Sequence, residues 1–497
     1  MPEQLNVDGT PVQVGRVLIS TPGLSGEVDV LVPGTGAMRA EQRTTPDFLL
    51  ALSRTGLTEQ LAVVIKDPRE HDATGGTRAQ GGGADIVVQV PGPGTGLAQV
   101  LLYTAEDGSQ TWHLPDDVPA DPDALAQRGG AVRTYRIPRA VVPAPETDAV
   151  ATRGIVGAIG KKILTVLAFR LVEAVGEFVA EKVAERWEAV NRPYRVRTFT
   201  VEDHGSPTAT TLEGDALEEM TAGQALLVVH GTFSLTHSGF GALPDDLVRD
   251  LHERYGGRVL GFDHPTLSVS PTENARWFAH YLERHLSGDR PLSVDVVAHS
   301  RGGLVARELA TYAHRLPGRL TVDQVVMVGT PNAGTPLADA AHLMSYVNRM
   351  TNLLQLVPDN PVTDTLDAVL TVLKHIVLGA QKGLDGLASM DPQGTYLAAL
   401  NGQGQQTTTR FYAVASNYEP PRGSPLLTVT RNGVTDLVFG AEANDLVVPT
   451  SGVHTVTGAA GFPVLEPLVF ETGASVDHSG YWRADGFGSK LLTWLAT

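Results

Sequence analysis

The chain has no cysteine among its 497 residues, which excludes disulfide scaffolds, thiolate metal sites and cysteine nucleophiles. Basic charge is scarce. Lys and Arg number 38 against 55 Asp and Glu, a net charge of −17, which argues against nucleic-acid binding through bulk electrostatics and against adhesion to an anionic membrane by charge alone. The His-Glu-x-x-His spacing is absent and the scattered carboxylates form no recognisable calcium loop, so no cofactor and no metal is assigned. The opening residues Met-Pro-Glu-Gln-Leu-Asn-Val-Asp carry neither the basic stretch nor the apolar core of a signal peptide, and a cytoplasmic location is the expectation. A content of 42% hydrophobic and 19% charged residues fits a folded globular chain, too long for one ordinary core.

What is present is a strand–turn–helix signature. The run Ser293-Val294-Asp295-Val296-Val297 leads into Ala298-His299-Ser300-Arg301-Gly302-Gly303, and the residues from Gly303 to Ala310 have helical periodicity. A nucleophile elbow needs this context. Its turn is so tight that the residues two before and two after the nucleophile crowd one another, so both must be small; here they are Ala298 and Gly302. Ser300 is therefore the candidate nucleophile.

A serine hydroxyl needs a base to take its proton and dipoles to receive charge on the carbonyl oxygen. Upstream, the apolar run Ala225-Leu226-Leu227-Val228-Val229 ends in His230-Gly231-Thr232-Phe233. Gly231 permits a sharp turn that can aim the amide of Thr232 (or Phe233) at the carbonyl above Ser300; the Arg301 amide is the second expected donor, and His230 shapes the loop. The acid and base should follow the serine in the order Asp, His. His478, between the last predicted strand (463–471) and a short terminal helix (489–495), is the candidate base, with His454 its main rival. Asp445, in a loop after the predicted strand 410–416, is the candidate acid, with Asp436 and Asp477 as alternatives.

Taken together, His-Gly-Thr, Ala-His-Ser-Arg-Gly-Gly, Asn-Asp-Leu-Val-Val-Pro and His-Ser-Gly-Tyr resemble the lipase-like α/β-hydrolases, in particular bacterial lipases and deacylases of lipid anchors. Two further segments share the resemblance: Val328-Gly329-Thr330-Pro331 through Pro336, and Met390-Asp391-Pro392 through Asn401. It covers residues 195–497. It implies an α/β-hydrolase fold, a Ser300–His478–Asp445 triad and a lipid-like or small-molecule ester substrate; it does not identify the substrate.

Three regions follow from patterning. Residues 1–145 show short apolar or alternating runs separated by Gly, Pro and Asp, as in a small β-rich module. The glycine-rich stretches 74–83 and 91–96 lack the Gly-Lys-Ser/Thr ending of a phosphate loop and read as loops. Residues 146–194 read as a long amphipathic connecting helix, with Ile155, Ile159, Ile163, Val166 and Leu167 on one stripe and Pro193 as a stop. Its interspersed charges leave no membrane-spanning run. A peripheral membrane or protein contact through this helix, near Lys161 and Lys162, or through the N-terminal module is an expectation. Residues 195–497 alternate strand and helix signals, predicting a mostly parallel sheet covered on both faces, with a helical excursion at 337–401 as a cap or lid. Two functional classes follow: a serine carboxylester hydrolase working through an acyl-enzyme, or a non-catalytic binding or regulatory module on a hydrolase scaffold. Peptidase, thioesterase and acyltransferase activities share the same triad.

Overall fold

The computed structural model describes residues 2–33, 52, 56–71, 85–116, 132–138, 161–170, 183–315, 318–354, 362–377, 383–402, 408–420, 436–440, 442–456 and 464–495. Up to residue 170 these form strands β1 (Glu3–Gln4), β2 (Val12–Val14), β3 (Val17–Ser20), β4 (Leu24–Leu31), β5 (Thr58–Glu70), β6 (Ile86–Pro91), β7 (Leu97–Thr104), β8 (Gln110–His113), β9 (Val132–Ile137) and β10 (Lys161–Arg170). They pair into an antiparallel six-stranded sheet, β1-β4-β5-β10-β7-β8, and a four-stranded sheet, β2-β3-β6-β9. Alternation decides which side chains meet. Leu101 and Tyr103 of β7 and Leu164 and Val166 of β10 pack against Ile19, Val88 and Tyr135 of the smaller sheet. Ala98, Val100 and Leu102, with Leu167 and Phe169, point the other way into a separate core.

The connecting helix is corrected at its apolar half. Lys161–Arg170 is a strand, hydrogen-bonded to β5 on one edge and β7 on the other. With apolar layers on both faces it carries a near-continuous apolar run, which periodicity cannot tell from a buried helix. The β-rich part therefore extends to Arg170 rather than ending at 145. Lys162 presents no charge to a surface: fully buried, its Nζ donates to Tyr103 Oη (2.9 Å) and Glu106 Oε2 (2.8 Å). Only Val183–Asn191 of the predicted helix is helical among the described residues; 149–160 and 171–182 lie outside them.

From residue 195 onward the third sheet is built of β11 (Arg195–Thr198), β12 (Ala225–Val229), β13 (Val259–Asp263), β14 (Leu292–His299), β15 (Leu320–Val328), β16 (Arg410–Ser416) and β17 (Val464–Phe470). Its order is β11-β13-β12-β14-β15-β16-β17, parallel except where β11 runs against β13. Among the described residues, helices of eight residues or more are α1 (Val183–Asn191), α2 (Asp245–Tyr255), α3 (Pro271–His285), α4 (Gly302–Arg315), α5 (Leu343–Leu354), α6 (Val362–Val377), α7 (Thr395–Gly402) and α8 (Phe487–Trp494). Phe278 and Leu282 of α3 and Val305 and Leu309 of α4 cover one face of the sheet. Val248 and Leu251 of α2, with Leu491 and Trp494 of α8, cover the other. This is an α/β fold. The chain leaves β12 in one direction to β13 and then crosses back to β14. The carboxyl ends of β12 and β14 thus form the switch point where such sheets carry their sites. None of the helices among the described residues is long and apolar enough to cross a membrane.

Helices α5, α6 and α7 lie in the excursion between β15 and β16. Two asparagines one turn apart on α5 meet the open edge of β8. Asn352 Oδ1 accepts from the Gln110 amide (3.0 Å) while its Nδ2 donates to the Gln110 carbonyl (2.7 Å), and Asn348 Oδ1 accepts from the Trp112 amide (2.8 Å). An edge strand presents unpaired backbone groups at alternate residues, and these side chains satisfy them. Asn352→Ala removes both of these hydrogen bonds from the buried Gln110 backbone, and is expected to cost about 2 kcal/mol; the midpoint of thermal unfolding should fall accordingly. At the other end, Glu188 of α1 is buried and accepts from the amides of Thr266, Leu267 and Ser268 at 2.6, 2.8 and 2.8 Å, tying α1 to the loop after β13.

Candidate active site

Strand β14 is buried along nearly all its length, and Ser300 follows its last residue with φ +53°. A serine in the left-handed region is strained, and the surroundings impose it. Its amide donates to the Val328 carbonyl of β15 (2.7 Å), and α4 begins at Gly302. A Cβ on Gly302 would lie 2.4 Å from the Val229 carbonyl oxygen and 2.5 Å from that of His230; one on Gly231 would lie 2.6 Å from Ser300 Cβ. Both glycines, with the buried Ala298, are what let the ends of β12 and β14 close on the serine.

Ser300 Oγ lies 3.0 Å from His478 Nε2, and His478 Nδ1 lies 2.7 Å from Asp445 Oδ2. All three residues are buried. Since a carboxylate only accepts, the imidazole carries its proton on Nδ1 and turns an acceptor nitrogen to the serine hydroxyl. The His478 backbone is pinned as well: its amide donates to the Asp445 carbonyl (2.9 Å) and its carbonyl accepts from His299 Nε2 (2.9 Å). Burial pushes His299 down to about 3, so it stays a neutral donor.

The Asp445 carboxylate accepts four hydrogen bonds. Oδ1 takes the amides of Val447 (3.0 Å) and Val448 (2.7 Å); Oδ2 takes the imidazole and the Tyr481 hydroxyl (2.7 Å). Burial alone would raise this carboxyl, but the imidazole and the other donors outweigh it and hold it below the ordinary value. The loop owes its shape to Leu446, which has φ +83° and donates its amide to Asn444 Oδ1 (2.9 Å).

The amides of Arg301 and Thr232 reach no acceptor among the described residues. Phe233, next in the loop, has φ +61°. The Arg301 side chain turns away from the serine: Nε donates to the Gly386 carbonyl (2.8 Å) and Nη2 to Asn274 Oδ1 (3.1 Å). His230 is buried below the loop, where Nε2 accepts from the His264 amide (3.1 Å); burial pushes it down to about 3. Over the serine lies a pocket whose one wall is Tyr346, Met350 and Leu353 of α5 with Thr365 of α6. Thr232, Ser234, Ser238 and Gly239 line it as well. Trp482 and Ser479 complete the lining named here.

The hydrogen bonds of the described rivals go to other groups. His454 ends the short helix Thr450–His454, with Nδ1 3.1 Å from Thr455 Oγ1. Asp477 Oδ1 accepts from the Ser479 amide (2.8 Å), and burial raises its pKa. Asp436 begins the helix Asp436–Phe439, and its side chain lies outside the described residues. Two residues stood in the quoted motifs without a role assigned to them. Tyr481 reaches the acid. Gly329 has φ +58°, and a Cβ there would meet Tyr481 Cε2 at 3.0 Å, Asp445 Oδ2 at 3.2 Å and His478 Cε1 at 3.3 Å. The short spacing from His478 to Tyr481 was the available signal for the first. Among the described residues no three His, Asp or Glu side chains cluster so as to hold a metal ion.

Fold and site together define an α/β protein with serine, histidine and aspartate hydrogen-bonded in line at the switch point of a mostly parallel sheet. A sequence profile described as "Domain of unknown function (DUF7379)" matches residues 191–496, and the chain belongs to that family. Among solved structures it is similar to the mature lipase BlEst2 of Bacillus licheniformis, with 18% identity over 61% of this chain and 97% of that one, at a TM-score of 0.37. Lipase 1 of Pelosinus fermentans is 12% identical over 55% and 97% of the two chains, TM-score 0.36. Phospholipase PlaB of Legionella pneumophila is 14% identical over 46% and 45%, TM-score 0.31.

Proposed function

We propose that the chain is a serine hydrolase of the α/β-hydrolase type, cleaving carboxylic esters with an apolar acyl group through an acyl-enzyme. The observation that carries the reading is the line from Ser300 Oγ through His478 to the buried Asp445, set on a strained turn beside two unclaimed amides. His478 Nε2 takes the serine proton as Oγ attacks the acyl carbon, and the Thr232 and Arg301 amides receive the oxyanion. The imidazolium returns the proton to the departing alkoxide. A water, deprotonated by the same nitrogen, then releases the acid and restores the serine. A binding module on the same scaffold has no need of a strained serine or of a carboxylate holding the imidazole tautomer.

The substrate class follows from the α5 wall. Tyr346, Met350 and Leu353 offer an apolar surface beside the serine, which suits an acyl chain better than a peptide's alternating polar backbone. The helical excursion is thus the acyl-binding cap. Each buried methylene contributes about 0.8 kcal/mol, so four further acyl carbons should raise kcat/KM by up to roughly two orders of magnitude before the chain outgrows the pocket. The experiment is fluorophosphonate labelling of the full chain, with a chain-length series of p-nitrophenyl esters beside a peptide library. Labelling with a rising, then falling, chain-length profile is expected. Absence of labelling sinks the serine-hydrolase reading, and a flat ester profile with efficient peptide cleavage makes it a peptidase.

A further inference from the structure

Tyr481 is fully buried on the short turn that follows His478, and its hydroxyl donates to Asp445 Oδ2 at 2.7 Å. That oxygen also accepts the imidazole N–H at 2.7 Å. We propose that Tyr481 is a positioning residue of the triad: its phenol fixes Asp445 Oδ2 in place and draws off part of its charge, and so sets the basicity of His478. This rests on the serine-hydrolase reading above.

The geometry leaves the carboxylate no freedom. Two backbone amides hold Oδ1, so the group cannot rotate, and the phenol and imidazole divide the lone pairs of Oδ2 between them. Gly329 packs beside the ring, and a Cβ there would crowd Tyr481, Asp445 and His478 at 3.0, 3.2 and 3.3 Å. The electrostatic sign follows. A donor on Oδ2 spreads the carboxylate's charge, weakening its attraction for an imidazolium; removing the donor concentrates that charge and makes His478 more basic. Other ionisable groups face this pair. Asp477 lies beside it in the same loop and interacts with both His478 and Asp445. The ring of His299 lies 4.9 Å from that of His478, centroid to centroid. From α5, Tyr346 interacts with Asp445 and Arg349 Nη1 donates to the Leu446 carbonyl. All remain in a Tyr481→Phe variant, so the difference between the two proteins reports the phenol.

The test compares wild type with Tyr481→Phe on a short activated ester and follows the His478 ring by NMR after 15N-histidine labelling of the full chain. In the variant, the acid limb of the kcat/KM profile and the NMR titration should both move to higher pH by roughly half a unit or more. kcat should fall roughly 10-fold with KM for the ester little changed. Replacing the Tyr481 side chain by 3-fluorotyrosine keeps the ring and strengthens the donor, and should move both midpoints the opposite way; it carries the test if the phenylalanine variant does not fold. Superimposable titrations across the three proteins overturn the proposal and leave Tyr481 as packing. If wild type turns over no ester, the hydrolase reading fails, while the NMR midpoints still decide the role of Tyr481.

Discussion

Ser300→Ala should abolish ester turnover and fluorophosphonate labelling while the protein unfolds at the wild-type temperature. The substitution removes one buried hydroxyl whose partner is His478 Nε2 and keeps the Cβ against which Gly231 is packed, so the turn has no reason to rearrange. His478→Ala removes the base and should cost on the order of 10⁴-fold or more in kcat, leaving what binding and the oxyanion amides supply. Ester kinetics and calorimetry on the two variants check both statements. Wild-type rates in Ser300→Ala would reject the elbow as the reacting centre.

Asp445→Asn should lower kcat on the order of 10²- to 10⁴-fold. Four donors converge on this carboxylate, and an amide offers a single acceptor oxygen. If that oxygen stays with the Val447 and Val448 amides, the new NH₂ faces the imidazole N–H and the Tyr481 hydroxyl. The imidazole is then driven to the tautomer with its proton on Nε2, where it cannot take one from Ser300. A stability signature accompanies the kinetic one. The imidazole and the other donors hold the folded carboxyl below the ordinary carboxylate range, so it contributes stability above that range, lost as the pH falls through the folded value. Asp445→Asn should flatten this part of the stability profile. Full activity in Asp445→Asn together with inactivity in Asp477→Asn would reassign the acid.

The parts of the molecule that were legible in the sequence obey local rules. An apolar run, a serine between Ala298 and Gly302 and a helical period suffice to place an elbow, because the constraint is steric and acts within one turn. Asp445 and His478 were legible by order along the chain and by their loops. The segment around Lys161–Arg170 was not, because its pattern is set by layers supplied from distant parts of the chain. A strand covered on both sides and a buried helix present the same run of apolar side chains. The two N-terminal sheets were legible only as scattered strands. Their pairing, in which β10 inserts between β5 and β7, depends on contacts far apart in sequence. The role of Tyr481 escaped because a phenol's partner depends on how its loop folds back, and the short spacing from His478 places it nearby without saying what its hydroxyl meets.

The asparagine pair on α5 bears on how this molecule can be taken apart. Asn348 and Asn352 make a helix stand in for the strand that would otherwise extend the N-terminal sheet, and the same helix presents Tyr346, Met350 and Leu353 to the serine. The family profile spans 191–496, yet a protein trimmed to that span would lose the backing of its own pocket and expose the face that met Trp112. The packed unit of this structure is therefore larger than the stretch the sequence profile marks out.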